Sequence, residues 1–170
     1  MTQDNFIYRD ATITDIEQLN RLGLISYGQY GTDLTPENLE KLKSNIGKDD
    51  TWKNILAISK GFVCELNNEI IGMAFLTPSG NPWDIFMAEW CYIRMVGVNP
   101  AFQGRGIAKA LTKMCIDYAK KTNEKIIALH TSEMMVAARH IYEGFGFKIL
   151  KEIEPRYGKK YWIYTLSLPS

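Results

Sequence analysis

The stretch Arg94-Met-Val-Gly-Val-Asn-Pro-Ala-Phe-Gln-Gly-Arg-Gly-Ile-Ala-Lys-Ala-Leu111 decides how the rest of the chain is read. An apolar strand runs into an Asn99-Pro100 turn, a short loop with two glycines follows, and an amphipathic helix begins. The first amides of such a helix have no acceptor within it. Together with the helix dipole they favour an anion, most often a phosphate. Gly104 and Gly106 allow close backbone approach, and Arg105 supplies a cation that suits a phosphate. The spacing is not that of a P-loop, because no Gly-Lys-Ser/Thr follows, and it lacks the three-glycine dinucleotide pattern. A tight strand-to-helix turn that binds nothing meets the same spacing, so the wider chain has to arbitrate.

That chain has 170 residues, which suits one domain with one core over residues 1–170. Hydrophobic residues make up 46% and charged residues 23%, a balance that excludes a disordered chain. A formal net charge of +1 offers no electrostatic case for a nucleic-acid or membrane partner. The opening Met-Thr-Gln-Asp-Asn lacks an apolar signal core, and no apolar run approaches the roughly 20 residues that span a bilayer. Cys64, Cys91 and Cys115 sit in apolar segments without disulfide or zinc spacing. They read as buried thiols, and the expectation is a cytoplasmic protein without a metal.

Working outward, Ala88 to Val98 is the longest strand candidate, with Glu89 and Arg94 among apolar neighbours. Gly97 marks a bulge or a close backbone approach. Upstream, Gly61 to Thr77 predicts a hairpin around Asn67-Asn68. Thr35-Pro36 opens a helix with Leu39, Leu42 and Ile46 on its apolar face. Thr14 and Glu17 form a capping box before Ile16, Leu19, Leu22 and Ile25, and Phe6 to Arg9 is a short first strand. The segments Tyr27 to Asp33 and Pro78 to Phe86 are expected as loops, the first of them over a site. Downstream, the glycine loop's helix turns Ile107, Leu111, Met114 or Cys115, and Tyr118 to one face. A strand at Lys125 to Leu129 follows, then a helix carrying Ala137, Ala138, Ile141 and Tyr142 that stops near Gly144. Phe147 to Glu152 and Tyr161 to Leu168 close the chain around a Pro155–Gly158 turn. This order fits a mixed α/β sheet.

The segment Val96-Gly-Val98-Asn-Pro-Ala-Phe-Gln103-Gly-Arg-Gly106-Ile-Ala108 resembles the acetyl-CoA motif of the GNAT superfamily of N-acetyltransferases, Gln/Arg-x-x-Gly-x-Gly/Ala after a strand that ends in valine and proline. A second family signature stands in the expected order, Ala138-x-x-x-Tyr142-Glu-x-x-Gly146-Phe147. The resemblance covers nearly the whole chain. It implies a mixed α+β fold: a mostly antiparallel sheet of about six to seven strands, splayed at a bulge near Val96–Val98 and flanked by about four helices. It also implies acetyl-CoA as co-substrate and no metal. The backbone of Val96 and Val98 would pair with the pantetheine arm, and the amides of Gln103, Gly104, Arg105, Gly106, Ile107 and Ala108 would hold the pyrophosphate. Ala138 belongs to the second cofactor motif. Tyr142 matches the family's frequent general acid, and the Val96 amide would polarise the thioester carbonyl. The implied reaction is direct attack by a primary amine of a small molecule or peptide.

Two positions depart from the family pattern. Many members have Asn seven residues before the Tyr, where this chain has Met135. An acidic residue often stands about where Tyr92 is, and the nearest carboxylate here is Glu89. Glu89 serves as a base only through water or if a bulge turns it toward the acceptor; otherwise it is a strand carboxylate paired with Arg94. Tyr142 also lies on the apolar stripe of its helix, where core packing alone accounts for it. Trp83, Phe86, Trp90 and Tyr157 suit either an acceptor pocket or the core. His130 and His140 lack metal-ligand spacing, and Cys91 has no His and acid pattern to make it a nucleophile. A non-catalytic acyl-CoA sensor would keep the glycine loop and lose a usable base. Homodimer formation through the closing strands is a further option that the pattern allows.

Overall fold

A computed structural model describes residues 5–169. The opening residues 1–4, whose polar character bears on the signal reading, lie outside the described residues. The chain runs β1 (Ile7–Asp10), α1 (Ile16–Gly28), α2 (Pro36–Ile46), α3 (Asp49–Ile58), β2 (Lys60–Leu66), β3 (Glu69–Thr77), β4 (Cys91–Val98), α4 (Ile107–Lys121), β5 (Ile126–Ser132), α5 (Val136–Gly144), β6 (Lys148–Arg156) and β7 (Lys159–Ser167). The strands form one seven-stranded sheet in the order β1-β2-β3-β4-β5-β7-β6. Every pairing is antiparallel except β4 with β5.

Local chemistry explains most elements. Asn67 and Asn68 both take positive φ, 50° and 66°, the geometry a two-residue hairpin turn between β2 and β3 requires. The Thr35 side chain accepts from the Asn38 amide and Pro36 opens α2, as the Thr-Pro pair predicts. The first capping box lies two residues earlier than expected: Thr12 and Asp15 form it, not Thr14 and Glu17. Asp15 wins because its carboxylate also accepts from Arg9 at 2.9 Å, which Glu17 on the exposed side cannot do. Ile25, expected on the apolar face of α1, is 44% exposed.

Both faces of β3 are covered, and the strand is buried from Ile70 onward. On one face α4 sets Ile107, Leu111 and Cys115 against Ile71, Ala74, Leu76 and Ile93. Gly72 makes this seat possible, because a Cβ there would stand 2.6 Å from Ile107 Cγ2. On the other face α1, α2 and α3 bring Leu19, Leu22, Leu42, Ile46, Trp52 and Ile55 onto Met73 and Phe75. The third of these helices goes beyond the sequence expectation. Trp52 is fully buried and donates its indole N–H to the Ile46 carbonyl at 2.9 Å, tying α3 to the end of α2. Among the described residues the α-helices number five, against about four expected.

Candidate active site

The sheet opens at its middle. β4 and β5 pair only through Cys91 with Ile127 and Tyr92 with Ala128, and beyond these residues the two strands part. On its other edge β4 carries a bulge against β3. Met73 faces Gly97 and Phe75 faces Arg94, so three steps on β4 match two on β3. The extra residue lies at Met95–Val96, and Met95 takes φ 54°, an uncommon conformation for a non-glycine residue. The bulge therefore falls just before Gly97. Gly97 itself is the close approach: a Cβ there would meet Ser26 Oγ of α1 at 2.7 Å. The Asn99 amide donates to Ile71 of β3 at 2.8 Å. By strand alternation the amides of Val98 and Val96 face the other way, into the gap left by β5.

The glycine loop adjoins this gap. Asn99 accepts from the Ala101 amide and opens a short helical turn at Pro100–Phe102, after which Gln103 donates to Gln29 at 2.6 Å. Gly104 and Gly106 take φ 79° and 77°, and nothing lies within 4 Å of a Cβ built on either. Gly106 is the N-cap of α4 and has no side chain to cap it. Open space beside the bare amides of a helix start is what an anionic diphosphate needs. The glycine loop thus opens beside the gap between β4 and β5, with its amides and the free strand edge both uncovered. The Ile107 side chain is buried against the sheet and does not reach the loop's open side. Ala108 and Ala138 are partly buried against the same core.

Tyr142 of α5 is 6% exposed and packs edge-on to Phe147, ring centroids 5.9 Å apart. Burial, then the neighbouring Tyr30, pushes its phenol well above the ordinary value, so it holds its proton. Tyr27, in the last turn of α1, donates its hydroxyl to the Val96 carbonyl at 3.4 Å. Its own phenol is raised by burial, then by the neighbouring Tyr142, Tyr30 and Tyr161. The segment Tyr27 to Asp33 contacts the bulge and the glycine loop through Tyr27 and Gln29, and it is not a loop. It completes α1 and continues as a 3-10 turn at Gln29–Thr32. Helical structure persists because no Pro follows until Pro36.

Glu89 is placed differently from the sequence reading. β4 begins at Cys91, and Glu89 lies exposed in the turn before it, where Trp90 donates to Met87. Five residues of strand, roughly 17 Å, separate Cys91 from Val96. The bulge comes after Glu89 and cannot turn it toward the gap. Nor does Glu89 pair with Arg94, whose guanidinium carbon instead lies 3.8 Å from the centre of the Trp83 ring. The aromatic candidates divide. Phe86 and Trp90 are core residues around Tyr92, Ala128 and Ile163, whereas Trp83 is 41% exposed beside Arg94. Tyr157 sits at the β6–β7 turn, which is tighter than the predicted Pro155–Gly158, and accepts from Asn45 of α2 at 3.1 Å.

His130 of β5 lies between the Phe86 and Tyr161 rings, each 5.7 Å away. Burial, with Arg156 nearby, lowers its pKa to about 4, so it is neutral at pH 7. Met135 caps α5, and its sulfur accepts from Thr131 at 3.5 Å, filling inward the position where the family often has a polar Asn. Cys64, Cys91 and Cys115 are buried free thiols whose pKa burial raises. Among the described residues no group of three or more His, Cys, Asp or Glu is placed to hold a metal ion, and no helix is long and apolar enough to cross a membrane.

The family model of the acetyltransferase (GNAT) family matches residues 31–147, more than half of the chain. The chain belongs to that family. It is 37% identical over 62 residues to an N-acetylaspartate synthetase of Danio rerio, a match covering 36% of this chain and 22% of the relative. An uncharacterized N-acetyltransferase of Methanocaldococcus jannaschii is 36% identical over 89 residues, covering 51% of this chain and 38% of the relative. The matches thus span well under half the length of these relatives. In fold, the chain superposes with a TM-score of 0.78 on the PaiA N-acetyltransferase of Thermoplasma acidophilum, solved in complex with coenzyme A. That alignment covers 96% of this chain and 99% of the other at 16% identity.

Proposed function

We propose that residues 1–170 form one acetyltransferase domain that transfers the acetyl group of acetyl-CoA directly to a primary amine. The observation that carries this reading is the parting of β4 from β5 beside the uncapped start of α4. An extended pantetheine arm completes the sheet there by pairing with Val96 and Val98, and the glycine-loop amides take the diphosphate. Family membership and the coenzyme A bound to the PaiA neighbour support this choice of donor.

In the reaction the neutral amine attacks the thioester carbonyl carbon. The Val96 N–H stabilises the oxyanion of the tetrahedral intermediate. The C–S bond then breaks, and the departing thiolate takes the Tyr142 hydroxyl proton, which is returned from solvent. The amine's surplus proton leaves through water. Bringing amine and thioester together in the gap supplies most of the acceleration. Tyr142 favours this reading over a non-catalytic acyl-CoA sensor, since a sensor has no use for a buried proton donor at the thioester. The test is release of free CoA from acetyl-CoA across a panel of amines, with the acetylated product identified by mass. Tight acetyl-CoA binding with no amine acetylated would establish the sensor instead.

A further inference from the structure

The reaction above leaves one charged residue beside the proposed thioester site without a task. Arg94 stands two residues before Val96 on β4, on the face that carries Tyr92. It is half-buried, and its guanidinium stacks on Trp83. Among the described residues it has no ion pair and donates no hydrogen bond. The carboxylate whose charge reaches it, Asp84, is held by Arg156 Nη1 at 2.6 Å. The Tyr27 phenol, which also acts on it, is neutral and donates to Val96. None of its nitrogens is sealed from solvent, since no buried side-chain nitrogen or oxygen lacks a partner.

We propose that Arg94 binds a carboxylate of the acceptor, so that the amines this protein acetylates are of the amino-acid type. The proposal rests on the transferase reading and names its substrate class. A half-buried guanidinium without a counter-ion has lost hydration and gained only the stacking on Trp83. A substrate carboxylate restores the missing partner, and the planar fork accepts it in bidentate geometry. Trp83 already holds the arginine in place, which lowers the entropy lost on binding. Two residues along β4, even across the bulge, keep Arg94 and Val96 within roughly 7 Å at Cα, so one small molecule reaches the guanidinium with its carboxylate and the thioester held at Val96 with its amine. A polyamine would place a second cation against Arg94 and is disfavoured.

The experiment compares common L-amino acids with their carboxamides as acceptors for the full chain, in wild type, Arg94→Met and Arg94→Lys. Wild type should prefer the acid over the carboxamide by about ten- to a hundredfold in kcat/KM, the range of one charge-assisted contact. Arg94→Met should collapse that ratio toward one, chiefly through KM, and Arg94→Lys should restore part of it. Acetyl-CoA affinity, measured by calorimetry, verifies that both variants are folded. A wild-type preference for the carboxamide, or a ratio untouched by Arg94→Met, overturns the proposal. If no amine is acetylated, the transferase reading fails, and Arg94 is then tested by titrating the same amino acids into the CoA complex. Carboxylate-dependent binding lost in Arg94→Met supports the assignment, and its absence in wild type overturns it.

Discussion

At the scale of single residues, Tyr142 and Glu89 are the two candidates for proton transfer, and the fold separates them. Tyr142 is buried beside the opened strands with its proton held, whereas Glu89 is exposed in the turn before β4. A donor that protonates the thiolate acts in the transition state and not in donor binding. Tyr142→Phe should therefore lower kcat by about a hundredfold or more and change KM for acetyl-CoA by no more than about twofold. Steady-state kinetics against acetyl-CoA checks this, and an unchanged kcat removes Tyr142 from the reaction. Glu89→Gln should leave kcat within about twofold, because water-relayed proton loss to solvent needs no particular carboxylate. A fall comparable to that of Tyr142→Phe would restore Glu89 as the base.

At the scale of elements, the site is a strand that bulges and a helix that starts bare. Gly106 is essential to the second half. Its φ of 77° costs a residue with a side chain about 1–2 kcal/mol, and its Cβ would point into the space assigned to the diphosphate. Gly106→Ala should lower the unfolding free energy by that amount and raise KM for acetyl-CoA about tenfold, read by urea titration and kinetics. A stability loss with unchanged KM would move the diphosphate elsewhere. This half of the site was legible in sequence because glycines, a helix start and a turn proline are local signals. The α3 helix was equally local, with Asp49 and Asp50 before Trp52 and Ile55, yet one turn of polar residues after Ile46 masks it. The position of Glu89 was not legible, since where β4 starts is decided by the Met87–Trp90 turn and by burial of Trp90. Nor was the stacking of Arg94 on Trp83, a contact across a long irregular connection that no periodicity encodes. Sequence reading recovered the bulged strand and the glycine-flanked helix start because these are local backbone features. The side chains around the parted strands come from α1, β4, β5 and β7, and no local pattern brings these together.

At the scale of the whole molecule, titratable groups shifted by burial set a pH window for stability. Burial raises the phenols of Tyr8 and Tyr161 to about 12 and raises those of Tyr27, Tyr30 and Tyr142 as well. A group whose folded pKa lies above its unfolded value stabilises the fold below the unfolded value, and that stabilisation is lost as pH rises through the folded one. Unfolded tyrosine ionises near pH 10, so the protein should weaken from there upward. His130 works in the opposite sense. Its folded pKa of about 4 lies below the ordinary 6.5, so its contribution is present above pH 6.5 and lost as pH falls toward 4. Asp15, held below its usual value against desolvation by Arg9, loses its contribution only at still lower pH. The acid limb between pH 6.5 and 4 thus belongs to His130, and its size is on the order of 3 kcal/mol. Urea midpoints should be highest between about pH 6.5 and 10. They should fall on both sides, and His130→Phe should flatten the acid limb alone. An acid limb that persists in His130→Phe would assign it to the carboxylates, and a flat profile above pH 10 would show that the tyrosine cluster is hydrated enough to ionise within the fold.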